Sequence, residues 1–249
     1  MISAMRQIAT EVVVVTCEHA SWRVPRELAR LGLPAAVLRS HRGWDPGALP
    51  VARAVAMAWS APLYAGEWSR RVVDLNRSAE LPAVILPQVE GRPVPGNALP
   101  GPERGERLRR FWAPWRARVE REFTAAGRRR RPVLHLSIHS FVERLHGVER
   151  TNDVGLLYDH RRPRERALAS ALRELLRVRG WSVRCNFPYH GHTDGHTASW
   201  RRRLPEQRYL GLEIELNQRT VRTTRRRRQL QAVLIDALQL LIASGPFAG

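Results

Sequence analysis

Hydrophobic residues recur along this chain in two patterns, short continuous runs and stripes at helical spacing. The short runs are rich in β-branched side chains, which is typical of strands buried on both faces of a sheet. They predict strands over residues 12–16, 71–75, 132–138, 154–158 and 209–216, with a short one near Val183. The stripes predict helices after Pro25, from Asp45 to about Trp59, and over residues 103–126, 163–179 and 222–242.

Alternation of strands and helices predicts an α/β fold with three layers, in which a central mixed, mostly parallel sheet lies between helices. The length of 249 residues fits one domain over residues 1–249. Ligands bind such sheets at the carboxyl ends of the strands. Residues 81–102 are rich in proline and glycine and predict a long loop, with a lid or a substrate wall as its candidate role.

Composition narrows the class of protein. The hydrophobic fraction of 43% and the charged fraction of 26% are those of a soluble globular chain. Two cysteines are too few for a disulfide framework. Residues 1–10 do not resemble a signal peptide, and no window approaches the roughly 20 apolar residues of a membrane span. We therefore expect a cytoplasmic protein without a membrane partner.

The formal net charge of +19 raises the question of a nucleic-acid partner. All 42 basic residues are arginine, and two runs of them lie at residues 128–131 and 225–228. Such runs can contact phosphates without sequence preference, and no helix-turn-helix, RRM or KH pattern accompanies them. We expect only non-specific binding from this charge. A basic binding protein without catalysis, which contacts nucleic acid or an acidic partner, is the alternative function.

Two histidines follow predicted strands, His19 after residues 12–16 and His139 after residues 133–138. Because both strand ends meet at one rim of the sheet, the two imidazoles and one carboxylate can form a zinc site with a position open for water. Glu18, Asp45 and Glu215 are the acidic residues at comparable positions. Histidines that only form hydrogen bonds near strand ends are the alternative, and spacing alone favours the metal slightly.

Seven short motifs occur in the same order as in the N-formylglutamate amidohydrolase family, which this chain resembles over most of its length. They are VTCEHAS at 15–21, GWDPGA at 43–48, SRRVVDLNR at 69–77, IHSF at 138–141, DVGLLYD at 153–159, NFPY at 186–189 and EIELNQ at 213–218. The resemblance implies a fold like that of zinc-dependent carboxypeptidases. It also implies hydrolysis of the amide of an N-acyl amino acid by a metal-activated water, with Zn²⁺ as cofactor.

The resemblance also implies roles for individual residues. His19 and His139 match metal ligands, and Asp45 lies where relatives place a third ligand, with Glu18 as the competing choice. Glu215 matches the general base that takes a proton from water and returns it to the leaving amine. Glu213 lies on the same face of its strand, so it is the alternative base.

Substrate recognition is assigned by the same resemblance to residues 69–77. An N-acyl amino acid carries a carboxylate, which arginine binds through two parallel charge-assisted hydrogen bonds. Arg77, with Asn76 beside it, is the expected carboxylate anchor, and Asp74 is expected to orient Arg77. Arg70 is expected either to bind substrate or to stabilise the oxyanion.

A histidine-rich loop lies between His190 and His196. Its glycines favour a mobile substrate loop over the active site, and the family resemblance implies the same. A second metal site formed by His190, His192 and His196 is the less favoured alternative.

Overall fold

The protein is described by a computed structural model over residues 12–243. The sequence-based expectations for residues 1–10, and the ends of the predicted domain over 1–249, lie outside these residues. The domain prediction stays a prediction. Within residues 12–243, the central sheet has six strands: β1 (Val12–Cys17), β2 (Leu63–Ala65), β3 (Val133–Phe141), β4 (Val154–Leu157), β5 (Val183–Cys185) and β6 (Tyr209–Asn217).

The strand order is β2-β1-β3-β6-β4-β5. Neighbouring strands are parallel except at the β6–β4 pair, which is antiparallel. The sheet is therefore mixed and mostly parallel. The register of β3 and β6 places His139 directly beside Glu215.

The helices lie between these strands and after the last of them. They are α1 (Ala35–Leu38), α2 (Ala48–Ala58), α3 (Gly101–Arg107), α4 (Ala113–Arg128), α5 (Pro163–Arg177), α6 (His196–Arg201), α7 (Gln218–Val221) and α8 (Thr224–Ala243). A π-helical turn over Leu108–Trp112 joins α3 to α4. In the part of the chain that the structure describes, no helix combines the length and apolar character needed to cross a bilayer.

The two faces of the sheet differ in chemistry because alternate residues of a strand point to opposite sides. On one face, Leu134, Leu136 and Ile138 of β3 pack with apolar residues of α2, α5 and α8. The other face, which is covered by α4 and α6, carries the buried polar residues of the same strands. They are His135, Ser137 and His139 of β3, and Glu213 and Glu215 of β6. The three-layer α/β prediction is confirmed.

The strand predicted over residues 71–75 is wrong. Its backbone forms local turns, in which the Val72 N–H donates to Ser69 O and the Arg77 N–H donates to Asp74 O. Two consecutive valines belong to different hydrophobic clusters, Val72 to one and Val73 to the other. This burial on both sides imitates a strand in the sequence pattern, and the second strand along the chain is β2 instead.

The N-cap of α2 is not Asp45, the residue at which the sequence predicted that this helix starts. Gly47 occupies that position, with a φ of 85°. The turn through Pro46 and Gly47 leaves the Asp45 side chain free to face β3, where it contacts His139. The left-handed backbone at Gly47 thus places an acid of the candidate site as well as starting the helix.

Replacing Gly47 by alanine is expected to destabilise the fold by roughly 2–4 kcal/mol. The new Cβ would be strained by the positive φ and would lie 2.4 Å from Cγ2 of Val221. Urea unfolding measures the change in free energy. Gly91→Ala is the matched control because Gly91 also has a positive φ, 75°, but a Cβ added there would meet no atom of residues 12–243 within 4 Å. Equal losses in the two variants would contradict the steric argument.

The predicted long loop over residues 81–102 contains two turns of 3-10 helix, Pro82–Val84 and Pro95–Asn97. A small hairpin lies between them. Ala83 and Leu86 of this segment line the pocket described below. The segment is therefore one wall of that pocket.

Candidate active site

Three buried side chains converge at the carboxyl end of β1 and β3. His19 follows β1 by two residues, and its carbonyl accepts the backbone N–H of Asp45 at 2.9 Å. His139 lies on the polar face of β3. One ligand-capable atom from each of His19, Asp45 and His139 lies within 4.8 Å of the other two. The three side chains are at most 3% exposed.

The two imidazoles present the same nitrogen to Asp45. Its Oδ2 lies 3.3 Å from Nδ1 of His19 and 2.9 Å from Nδ1 of His139. The opposite nitrogens contact other carboxylates: His19 Nε2 lies 2.7 Å from Asp74 Oδ1, and His139 Nε2 lies 3.2 Å from Glu18 Oε2. Carboxylates in such positions fix the ring orientation of metal-binding histidines and increase their basicity.

Asp45 and Glu18, the two candidates for the third ligand, lie in different places. Asp45 lies between the two Nδ1 atoms, whereas Glu18 lies behind His139 and contacts its Nε2. Glu18 belongs instead to a second buried group with His135 and His196. Asp74, which was expected to orient Arg77, contacts His19 instead.

Arg70 supplies a positive charge to this group of donors. Its Nη2 lies 2.5 Å from His19 Nδ1, and its Nη1 lies 3.3 Å from Asp45 Oδ1. Asp74 is the second acid nearby, at 3.8 Å from the Arg70 Nε. The ligand-capable atoms of His19 and Asp45 therefore bind a cationic group, the Arg70 guanidinium. The Arg70 side chain is 24% exposed and also lines the pocket described below.

Electrostatics keep the acids of this group ionised. Burial alone would disfavour the charge on Asp45, but Arg70 and His19 hold the pKa of that carboxyl well below its usual range. Burial is likewise outweighed at Glu18, where hydrogen bonds from His139 and His196 lower the pKa. At His139, burial opposes protonation, but hydrogen bonds to Asp45 and Glu18 raise the pKa. The acids of the site are therefore ionised and paired with Arg70 or with histidines.

A model of the N-formylglutamate amidohydrolase family matches residues 12–222, which include all of these side chains. The chain belongs to the N-formylglutamate amidohydrolase family. This confirms the family predicted from the seven motifs, and it identifies the chain as a hydrolase acting on amides. No curated protein matches the chain significantly.

Two solved structures share the fold of this family member. A crystal structure of a gene product from Agrobacterium tumefaciens is 32% identical, covers 93% of this chain and 92% of its own, and gives a TM-score of 0.81. The structure of an N-formylglutamate amidohydrolase from Ralstonia eutropha is 18% identical, with coverages of 94% and 95% and a TM-score of 0.68. The second likeness is one of fold.

Beside the histidines of this amidohydrolase lies a pocket of about 270 Å³. Asp45 and His139 line it, together with both candidate bases, Glu213 and Glu215. Glu215 is 5% exposed, and its Oε2 has no hydrogen-bond partner among the described residues. Burial raises the pKa of Glu215 to about 8; Asp45 and Glu213 also raise it, while His139 and Arg70 oppose the shift.

Glu213 is already engaged. Its Oε1 accepts a hydrogen bond from the hydroxyl of Thr197 on α6. Glu215 lies beside His139 on the neighbouring strand and keeps an unpartnered oxygen among the residues described. Of the two acids left open by the sequence, Glu215 has the geometry of a proton acceptor next to the histidines.

The three predicted substrate-binding residues all line the same pocket: Arg70, Asn76 and Arg77. Arg77 donates from Nη1 to the backbone oxygen of Asp194 at 2.5 Å. Its own carbonyl accepts from Trp112 Nε1, at 3.0 Å, in the π-helical turn. Asn76 uses its side-chain oxygen to accept the backbone N–H of His196 at 2.7 Å. Residues 76 and 77 are thereby held against α6 and against the π-helical turn that precedes α4.

The histidine-rich loop divides into two parts. His190 and His192 are exposed, and their rings lie 5.5 Å apart. His196 starts α6 and is fully buried beside Glu18. Only His196 of the three joins a group that could hold a metal ion in the described residues, and its partners there are Glu18 and His135.

The sequence analysis did not predict that Glu18, His135 and His196 form one buried group. The signal was present in β3, where His135, Ser137 and His139 alternate with aliphatic residues. Such alternation indicates that one face of the strand is polar. A strand buried on both faces is usually apolar throughout, so buried polar residues on one face indicate a functional site there.

Proposed function

We propose that this family member is a zinc-dependent amidohydrolase that cleaves the amide of an N-formyl or N-acyl amino acid, such as N-formylglutamate. The observation that carries the proposal is the convergence of His19, Asp45 and His139 at the edge of a pocket lined by Glu215 and Arg77. Two imidazoles and one carboxylate form a donor set of the kind that catalytic zinc sites use.

The residues present fit a zinc ion. Both histidines offer Nδ1 toward Asp45, and each Nε2 has a separate carboxylate partner. The orphaned Oε2 of Glu215 is a buried polar atom in the same pocket, and such an atom calls for a ligand. A zinc ion held by His19, Asp45 and His139 would lower the pKa of a bound water and add positive charge near Glu215.

Glu215 carries the proton through the reaction. As a carboxylate it accepts a proton from the attacking water while the water oxygen bonds to the amide carbon. It then donates that proton to the amide nitrogen as the carbon–nitrogen bond breaks, which yields a carboxylic acid and a free amine. The buried carboxyl binds a proton readily, and the positive charge of a zinc ion beside it would favour the carboxylate form that accepts the first proton.

Arg77 and Arg70 act on the substrate at two places. Arg77 lines the pocket without a carboxylate partner within 4 Å among the described residues, so its charge is available for the substrate carboxylate. Arg70 lies against His19 and Asp45, where it can donate to the carbonyl oxygen as negative charge develops there. Asn76 lines the same pocket and holds residues 69–77 to α6.

Arg77→Gln is expected to lower kcat/KM about 10–100-fold on N-acyl amino acids because a charge-assisted pair is lost. The matched control is the corresponding N-acyl amino acid amide, which has no carboxylate. We expect the wild type to cleave that amide slowly and the variant to cleave it at the same rate. Steady-state kinetics on both substrates measure the effect, and an equal loss on both would argue against carboxylate recognition.

A screen of N-formyl and N-acetyl amino acids tests the proposed substrate class. The protein is loaded with one equivalent of zinc, and release of free amine is followed for each compound. We expect turnover of at least one acidic N-acyl amino acid. Failure of the zinc-loaded protein to cleave any compound of this class would overturn the proposal.

A basic binding protein without catalysis explains less of the site. Binding to a polyanion requires surface charge, and it gives no reason for buried histidines and carboxylates around a pocket. The prediction that nucleic-acid binding is only non-specific stays a prediction, as does the cytoplasmic location.

A further inference from the structure

Behind the candidate metal ligands lies the second buried group, formed by Glu18, His135 and His196. These side chains are at most 1% exposed. Both nitrogens of His135 have hydroxyl partners at 2.8 Å, Nε2 with Thr16 Oγ1 and Nδ1 with Tyr209 OH. The role of the group follows from where each proton lies.

The proton on His196 has one possible position. Trp200 Nε1 lies 3.1 Å from His196 Nε2, and an indole N–H can only donate. His196 Nε2 must therefore accept, so a neutral ring carries its proton on Nδ1. Burial lowers the pKa of His196 to about 4, with Arg116 acting in the same direction, so the ring is neutral near pH 7.

That Nδ1–H donates to Glu18 Oε1 at 2.8 Å. The other oxygen of Glu18, Oε2, accepts from Ser137 Oγ at 2.9 Å and lies 3.2 Å from His139 Nε2. The same Ser137 Oγ lies 3.0 Å from His139 Nε2, so the hydroxyl bridges the two side chains. Glu18 is thus held by partners on both oxygens. Since Trp200 and Glu18 occupy both nitrogens of His196, the group offers no free imidazole lone pair there for a second metal ion.

We propose that His196 and Trp200 are positioning residues for the metal centre. Trp200 fixes the tautomer of His196, and His196 holds Glu18. Glu18, together with the Ser137 hydroxyl that donates to it, then accepts the Nε2–H of His139 so that Nδ1 of His139 faces Asp45. This inference rests on the proposed zinc-dependent function. It assigns a task to α6, whose first residue is His196 and whose fifth is Trp200.

Outer groups that orient metal-binding histidines typically account for 10–100-fold in metal affinity or activity. His196→Leu removes the donor to Glu18, and we expect zinc affinity to fall by about that factor. His196→Asn is the conservative variant because its amide nitrogen lies near the position of the imidazole Nδ1. We expect His196→Asn to retain zinc affinity within a few-fold of the wild type.

Zinc dissociation constants are measured by competition with a chromophoric chelator, on variants whose fold is checked by circular dichroism. Ser199→Ala is the matched control in the same helix, since Ser199 donates to the His196 carbonyl and does not contact Glu18. Unchanged affinity in folded His196→Leu would overturn the proposal. Equal losses in His196→Leu and His196→Asn would also overturn it, because the donor would then not matter.

Trp200→Phe tests the tautomer step while keeping an aromatic ring. In ¹⁵N-labelled zinc-loaded protein, long-range histidine spectra should show His196 protonated on Nδ1 in the wild type. We expect Trp200→Phe to populate the Nε2–H form and to weaken zinc binding. Retention of the Nδ1–H form with unchanged zinc affinity would show that Trp200 has no positioning role.

The proposed function and this inference fail in different ways. If the wild type does not bind zinc, the proposed function fails first. If the wild type binds zinc and the His196 and Trp200 variants bind it equally well, the positioning role alone is wrong.

Discussion

His139→Asn is expected to lose zinc binding and amide hydrolysis together, each by more than the roughly 100-fold that a supporting group accounts for. Asparagine removes the Nδ1 lone pair that faces Asp45. Its amide can donate to Asp45, and Glu18 keeps Ser137 and His196 as partners, so neither acid is left buried without a donor. Without such a donor, breaking buried charge pairs costs about 3–5 kcal/mol, which makes alanine a poorer choice.

His135→Asn is the matched control for that experiment. His135 is buried on the same face of β3, four residues earlier. In the part of the chain that the structure describes, its two nitrogens have hydroxyl groups as hydrogen-bond partners. We expect it to lose stability but to retain zinc within a few-fold. Bound zinc is measured on the purified proteins by elemental analysis, and turnover by release of free amine. Equal zinc content in the two variants would remove His139 from the ligand set.

Glu215→Gln is expected to lower kcat by about 10²–10⁴-fold, the usual contribution of a general acid–base group. Zinc content and KM should change little, because Glu215 lies beside the donor set and does not belong to it. The fall in kcat follows from loss of the proton acceptor whose Oε2 faces no partner within residues 12–243. Steady-state kinetics and elemental analysis on the same samples separate the two effects.

The same substitution at Glu213 decides between the two acids. Glu213 is two residues away on the same face, but its carboxylate already accepts from Thr197. We expect Glu213→Gln to retain most of the activity. A larger fall in kcat for Glu213→Gln than for Glu215→Gln would reverse the assignment of the base.

Much of the fold was predictable from residue patterns, because the central strands are short apolar runs bounded by polar or turn-forming residues. The runs around Val14, Leu136 and Leu212 marked β1, β3 and β6. Failure at residues 71–75 has a physical cause. Val72 and Val73 are buried in separate clusters by a turn, and a one-dimensional pattern cannot distinguish that from a strand.

The candidate site was predictable in its members and less so in their arrangement. His19 and His139 were visible as histidines at strand ends, and the family motifs added Asp45. The choice of Asp45 over Glu18 depends on the turn at Gly47, which directs the Asp45 side chain between the two Nδ1 atoms. The orientation of a side chain toward residues distant in the sequence depends on tertiary packing, and local spacing does not reveal it.

The group behind the site could not be read from motifs because its members are far apart in the chain. Glu18 and His196 are separated by 178 positions, yet they are joined by a 2.8 Å hydrogen bond. In the sequence, His196 belongs to the same histidine-rich loop as His190 and His192, and a joint metal site was the less favoured alternative. Its position at the start of α6 turns it inward instead, since Asn76 fixes its backbone N–H.

A zinc titration of metal-free protein tests the central claim most directly. The protein is stripped with a chelator, zinc is added in steps, and hydrolysis is followed on the N-acyl amino acid that the wild type cleaves best. The account predicts no turnover without metal and a linear rise that ends at one zinc per chain, through His19, Asp45 and His139. Full turnover in verified metal-free protein would contradict it.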